Sequence, residues 1–263
     1  MAKCWTKEEE KKYRKELTFL YKKQNKAIGE IASILRIGEQ SVFKRMKRLG
    51  IKSEPHRKKN YLKKRTDIII PKRYSGNIAE FFGVMLGDGN LSHFQVSVTL
   101  GTKEMRYAEY VASLMKSIFS VYAKICIRKN KYKIVYFGSV DATNWLFKEG
   151  LVKNKVKFQV SVPRWIFRNK QFSRRFIRGF FDTDGSIYKL RHGLQLSFSN
   201  RSIPLLKDLQ EILLMLGYTP SAVSSYKIYI TKTNEVRRFF SEIRPKNIKH
   251  NERFEKFTNA SVG

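Results

Sequence analysis

The chain has 263 residues and carries 54 Lys plus Arg against 22 Asp plus Glu, a formal charge of +32, with 42% hydrophobic and 13% aromatic residues. That apolar share can bury a real core, so the charge belongs to a folded protein and selects a polyanionic partner, because Lys and Arg neutralise phosphates and release condensed counterions. Two cysteines, Cys4 and Cys126, exclude a disulfide framework, and the apolar run from Phe81 to Leu86 falls far short of the roughly 18 residues of a membrane span.

With no apolar signal segment at its N-terminus, the chain reads as soluble and unsecreted, with nucleic acid as its leading partner and no membrane. Charge is unevenly placed. Residues 1–75 hold 23 basic and 8 acidic side chains, net +15, which leaves +17 for the other 188. Thr6 is an N-cap candidate with acidic residues behind it, which predicts a first helix to about Tyr21. Ile28, Ile31, Ile34 and Leu35 then recur at helical spacing, Gly38 interrupts, and Val42, Met46 and Leu49 resume the pattern before Gly50. Helix, short turn, helix is the expected order over a domain of residues 1–51. The second helix of the pair carries Gln40, Lys44, Arg45, Lys47 and Arg48 away from its apolar positions, as a helix entering the major groove would; the blander reading is a small bundle with a solvated basic face. Trp5-Thr6-Lys7-Glu8-Glu9 and the run from Ser41 to Ile51 resemble the helix-turn-helix modules attached to phage and intron-encoded nucleases. Residues 52–75, with Pro55, Pro71 and basic runs at 56–59 and 63–65, read as a basic linker, either solvated or tracking a groove.

The remainder repeats itself. Ala79 to Gly89 matches Phe176 to Gly185 and sets Asp88 against Asp184, 184 − 88 = 96 residues apart. Tyr132-Lys-Ile and Tyr226-Lys-Ile stand 226 − 132 = 94 apart, and Lys155 and Lys249, each close after an Asn, 249 − 155 = 94 apart. Each half opens with an apolar helix ending in Asp-Gly, followed by alternating segments such as Gln95 to Leu100 and Gln195 to Phe198 that read as strands with one wet face. Helices at 103–120 and 203–216, hairpins at 124–137 and 222–231, and a closing helix complete an αββαββα order in each half. The expected fold class is therefore α+β: two pseudo-symmetric repeats, 76–160 and 161–263, behind a small all-α domain.

Small residues four apart, Gly83 and Gly87 in one apolar helix and Gly179 and Thr183 in the other, predict that the two helices pack closely on each other. Asp88 and Asp184 then lie side by side, each before a Gly expected to take the left-handed conformation that closes a helix. Two carboxylates held together repel unless a cation joins them, and hard oxygen ligands favour Mg²⁺, which completes its shell with phosphates and water. That chemistry suits phosphodiester hydrolysis.

On Phe81 to Gly89, on Ile177 to Gly185, and on Ser161-Val-Pro-Arg-Trp-Ile166 before the second of these, the chain resembles the LAGLIDADG homing endonuclease family in its single-chain, two-motif form. The resemblance covers roughly residues 76 to 258. It implies a DNA-straddling saddle of two sheets and a Mg²⁺-dependent, site-specific endonuclease, with Mn²⁺ or Ca²⁺ as substitutes. Both strands would be cut across the minor groove, leaving 3′ overhangs. The family's catalytic carboxylates fall on Asp88 and Asp184, with Gly87 and Thr183 beside them in the metal set. The first motif has Leu86 where the second has Asp182, a departure that leaves both carboxylates in place. Lys155 and Lys249 are the symmetric candidates for stabilising phosphate charge, with ordinary phosphate contact as the alternative. Asn200 and Arg201 are candidates for positioning water, and Gly101 stands near the corresponding place in the first half, which makes the two sites unequal.

If Val96, Val98 and Leu100 face the core, Gln95, Ser97 and Thr99 face DNA, and so do Gln195 and Ser197. Arg128, Lys131, Lys133, Lys189 and Arg191 supply phosphate or guanine contacts. Because the two faces differ, the target is expected to be long and asymmetric. The leading expectation is an intron-homing endonuclease acting on double-stranded DNA as a monomer, in a prokaryotic cytoplasm or nucleoid or an organelle matrix. The alternative is an RNA maturase acting on intron RNA, or a non-cleaving DNA-binding regulator on the same fold.

Overall fold

The computed structural model describes residues 6–52, 67–128 and 131–259. The chain divides into two compact units, Met1–Leu62 and Lys63–Gly263.

In the first unit, α1 (Lys7–Thr18) starts at a reciprocal cap. The Thr6 hydroxyl accepts from the Glu9 amide at 3.2 Å, and the Glu9 carboxylate accepts from the Thr6 amide at 2.9 Å. A widened turn (Phe19–Lys23) follows, then α2 (Ile28–Ile34) and α3 (Glu39–Arg48). Leu17, Ile31, Val42, Met46 and Leu49 form a small core of their own, and the helical spacing read from the sequence is what brings them to one side.

The second unit begins with Ile68 and Ile70 packed against its core, the Ile69 amide donating to the Phe119 carbonyl at 3.0 Å. The rest of the expected linker at 53–66 lies outside the described residues. Then come α4 (Gly76–Gly87), β1 (Gly89–Leu91), β2 (Gln95–Gly101), α5 (Met105–Phe119), β3 (Lys124–Arg128), β4 (Tyr132–Gly138) and α6 (Val140–Lys148). The second half continues with α7 (Lys170–Asp184), β5 (Gly185–Leu190), β6 (Gly193–Ser199), α8 (Ile203–Met215), β7 (Lys227–Ile230), α9 (Thr233–Glu242) and α10 (Ile248–Asn259). The fold is α+β. Two antiparallel sheets, ordered β1-β2-β4-β3 and β5-β6-β7, each lay an alternating apolar face (Val96, Val98, Val135 and Phe137; Ile187, Leu196, Phe198 and Ile228) on helices.

The second half departs from the expected order in two places: two helices, α9 and α10, close it where one was expected, and its second hairpin is incomplete. The hairpin expected at 222–231 supplies only β7, its first arm being reduced to a Ser224–Lys227 bridge and a Ser221-to-Tyr229 hydrogen bond of 2.8 Å. The run Thr-Pro-Ser-Ala-Val-Ser-Ser from 219 to 225 has no alternating apolar residues to bury, and Ser225 and Tyr226 both turn at positive φ (48° and 61°).

α4 is apolar almost all round and is buried from Ile78 to Leu86, as the central helix of a pair must be. Its partner is α7. A Cβ on Gly83 would run into the Phe176 carbonyl and stand 2.7 Å from the Phe180 nitrogen, and one on Gly179 would meet the Glu80 carbonyl and stand 3.0 Å from the Val84 nitrogen. Away from the Asp-Gly ends the pair is tied by Glu80, which is fully buried and takes Arg175 at 2.6 Å, Arg178 at 3.5 Å and the Tyr110 hydroxyl.

Candidate active site

The close approach of α4 and α7 carries on to their last turn and sets the carboxylates. A Cβ on Gly87 would collide with the Thr183 hydroxyl and lie 3.5 Å from the Asp184 carboxyl carbon, so the acid closing α7 sits against the final turn of α4, which Asp88 caps. The glycines after the two aspartates serve a different purpose from the one expected. Gly185 is extended (φ −89°, ψ 159°), and Gly89 is not among the residues with positive φ. What each needs is space. A Cβ on Gly89 would lie 2.6 Å from the Met85 carbonyl and sulfur, and one on Gly185 would run into the Phe181 ring and carbonyl, because each strand leaves directly over the turn that ends its helix.

Both carboxyls are half-buried. Burial pushes Asp88 above the usual carboxylate range, the Glu104 charge adds to this, and Lys249 and Lys155 oppose it. Burial pushes Asp184 up to about 6, with the Asp88 charge adding, while the Asn200 hydrogen bond and the two lysines pull the other way. Lys155, in the turn after α6, donates to the Met85 carbonyl at 3.1 Å and to the Gly87 carbonyl, and burial lowers its pKa against the pull of both aspartates. Its symmetry partner Lys249 is held differently, by Glu104 at 2.8 Å. Glu104 also accepts from the Asn247 side chain and the Gly101 amide, both at 2.6 Å.

Asn200 donates to Asp184 at 2.9 Å. Strand register places Val98 opposite Gly89 and Phe198 opposite Gly185, so the first-half counterpart of Asn200 is the buried, apolar Leu100, one residue before the expected Gly101. Asp88 therefore has no amide partner at that position. Asp182, the residue matched by Leu86, is fully buried and accepts the amides of Lys246 and Asn247 at 3.0 Å, anchoring the entry to α10. Burial lifts it to about 7.

Asp88 and Asp184 suit a hard divalent cation: two desolvated oxygen donors at one point, with an ammonium drawn in beside them. Among the described residues no group of three or more His, Cys, Asp or Glu converges, so such an ion would complete its shell from phosphates and water, as Mg²⁺ prefers. The other two expected ligands, Gly87 and Thr183, carry hydrogen bonds of their own. The Gly87 carbonyl accepts from Lys155, and the Thr183 hydroxyl donates back to the carbonyls of Gly179 and Phe180 at 3.2 and 3.0 Å.

The residues expected on the sheet faces turned away from the helices depart from expectation in three cases, two by burial on that face and one by lying on the other face. Ser97 is buried, its hydroxyl bonded to the Asn90 carbonyl at 3.3 Å, and Ser197 is buried beside its cross-strand neighbours Ser186 and Tyr229. Both point to the expected face, where the register sets a larger residue opposite each, Tyr136 in the first sheet and Tyr229 in the second. Lys133 lies on the helix-facing side with Val135 and Phe137, opposite Leu100, where it is buried and donates to the Thr102 carbonyl. Gln95 and Gln195 are partly exposed, and Thr99, Arg128, Lys131, Lys189, Arg191 and Arg201 are exposed. Tyr136, Tyr188, Tyr229 and Lys227 share these faces by register; the alternation in β4, β5 and β7 contained that signal. In α3, Gln40 and Lys44 are exposed, Arg45 lies over the Tyr13 ring, and Arg48 pairs with Glu10.

Residues 79–149 match the WhiA LAGLIDADG-like domain, and residues 171–244 match the LAGLIDADG-like domain. A replication factor C small subunit of Methanocaldococcus jannaschii is 27% identical over 180 residues, 65% of this chain and 9% of that protein. A probable cell division protein WhiA of Clostridium novyi is 25% identical over 175 residues, 60% of this chain and 55% of that protein. The chain thus spans about half, or far less, of the length of these relatives. Among solved structures, I-DmoI in complex with DNA and Mn is 17% identical, with a TM-score of 0.44 covering 64% of this chain and 96% of that one.

Proposed function

We propose that this chain, which carries two LAGLIDADG-like domains, binds double-stranded DNA on its sheet faces and hydrolyses a phosphodiester in each strand with a divalent cation at the Asp88–Asp184 centre. The observation that carries this is the desolvated carboxylate pair at the end of two helices that approach closely through Gly83, Gly87 and Gly179. Burying two like charges costs stability, and a protein that only binds nucleic acid gains nothing from placing them toward phosphate.

When bound, Mg²⁺ or a substitute such as Mn²⁺ would polarise the scissile phosphate and make a bound water acidic. Asp88 and Asp184 would hold the ion. Asn200 fixes the rotamer of Asp184 by donating to one oxygen, which leaves the other free. Lys155 brings positive charge to the same point and is placed to meet charge developing on phosphate, while Glu104 holds Lys249 on the Asp88 side. The two halves are chemically unequal, which fits a long asymmetric target, and one chain supplies both aspartates, so a monomer suffices. Cleavage leaving 3′ overhangs is part of this reading.

A second reading is a DNA-binding regulator that does not cut. The relatives named as probable cell division proteins, and the WhiA-type match over the first half, favour it over cleavage. The test is to incubate the full chain and its Asp88→Asn/Asp184→Asn variant with a randomised duplex library in Mg²⁺ and in EDTA. Metal-dependent cutting of both strands by the wild type alone supports the nuclease. A footprint without a cut from either protein sinks it and leaves the regulator.

A further inference from the structure

α3 offers DNA a face that its sequence alone mis-assigns. Val42 and Met46 point into the core of the first unit, and Leu49 follows them. Gln40, Phe43, Lys44 and Lys47, spaced i, i+3, i+4 and i+7, form one continuous exposed stripe on the outer side of the helix. The two arginines that a basic helix would be expected to send into a groove are turned back toward α1. The Arg45 guanidinium lies 4.7 Å from the centre of the Tyr13 ring, and Arg48 stands 3.6 Å from the Glu10 carboxylate. In the middle of the free stripe stands a phenylalanine, 51% exposed.

An exposed aromatic flanked by two lysines and a glutamine matches the chemistry of the major groove. There, thymine presents the one methyl group among base edges, adenine accepts a bidentate amide, and phosphates line both sides. Residues 1–52 carry 15 basic and 6 acidic side chains, so this unit is complementary in charge to a duplex. We propose that α3 reads DNA with Phe43 against a thymine 5-methyl group and Gln40 on a neighbouring adenine, while Lys44 and Lys47 contact the flanking phosphates. The first unit is thereby a base-specific reader of a T- and A-containing segment. This inference rests on the chain being a DNA binder and is independent of cleavage.

The test uses the full chain in EDTA, so that nothing is cut. A preferred duplex is selected from a randomised library, the footprint is mapped, and each thymine within it is replaced in turn by uracil, which lacks only the methyl group. The wild type is expected to lose roughly four-fold in affinity at one such position, the effect of burying about one methyl group, while Phe43→Ala binds the two duplexes equally. Phe43→Leu, which keeps an apolar side chain, is expected to retain part of the discrimination and also guards against a folding defect in the alanine variant. A wild type indifferent to uracil at every position, or a Phe43→Ala variant that still discriminates, overturns the inference while leaving the DNA-binding reading intact. Absence of binding to any duplex overturns both.

Discussion

Replacing Asp184 by Asn removes a charge that folding forces out of water, and the structure sets the size of the effect. With its pKa at about 6, the folded state holds this proton more tightly than an unfolded chain does. The raised value makes a contribution to stability that is complete below the unfolded pKa of about 4 and is lost as pH rises through 6. At pH 7.5 the wild type has lost it, and a shift of about 2 pH units corresponds to about 3 kcal/mol. Asn loses nothing, and its side-chain oxygen still accepts from Asn200. Asp184→Asn is therefore expected to be more stable than wild type by about 2–3 kcal/mol at pH 7.5 in EDTA, which is roughly 4–12 °C in Tm for a unit of this size. The gain should shrink at pH 5.5 and vanish near pH 4. Part of it is relief of repulsion from Asp88, so adding Asp88→Asn should yield less than the sum of the two single changes. Urea or thermal denaturation at the three pH values provides the measurement, and Asp182, present in both proteins, cancels from the difference. A variant no more stable than wild type at pH 7.5, or one whose advantage is the same at pH 4, would refute the reasoning. Saturating Mg²⁺ or Mn²⁺ should stabilise the wild type more than the variant.

Gly179→Ala places a methyl group against the Glu80 carbonyl, a backbone atom that cannot swing aside. The helix pair must separate, so a loss of about 1–3 kcal/mol is expected, together with weaker cation binding because Asp88 and Asp184 move apart; an unchanged melting curve would contradict the close packing. Glu80→Ala leaves Arg175 and Arg178 without their buried partner, and a loss of about 3–5 kcal/mol is expected in urea denaturation. Glu80→Ala combined with Arg175→Met should recover part of it, which a purely steric cost of losing Glu80 would not allow.

Much of the fold was legible because its signals are local. The 3.6 and 2 periods placed most of the helices and all but one strand arm, though not the second of the two helices that close the chain, and the near-constant offset between halves marked Asp88 and Asp184 before any contact was known. The missing arm follows the same logic, since a stretch without alternating apolar residues had nothing to bury at 219–225. Periodicity tells which way a side chain points but not what stands beside it. Ser97 and Ser197 point as expected, yet they are buried; Lys133, by contrast, alternates with Val135 and Phe137 and so faces the helices, where it reaches a carbonyl 31 residues back in the chain.

The chain's own residue order determined the repeat, the helix-ending acids and the charge that selects a polyanion. Only the tertiary structure decided how those acids are surrounded: Lys155 on the carbonyls of α4, Glu104 holding Lys249 across 145 residues, Asn200 on one aspartate but not the other, and Asp182 anchoring the entry to α10. These are contacts between groups far apart in sequence, so each partner alone looks like any other polar residue. Their energies arise from desolvation and close approach, which exist only once the two halves have packed helix to helix through their glycines.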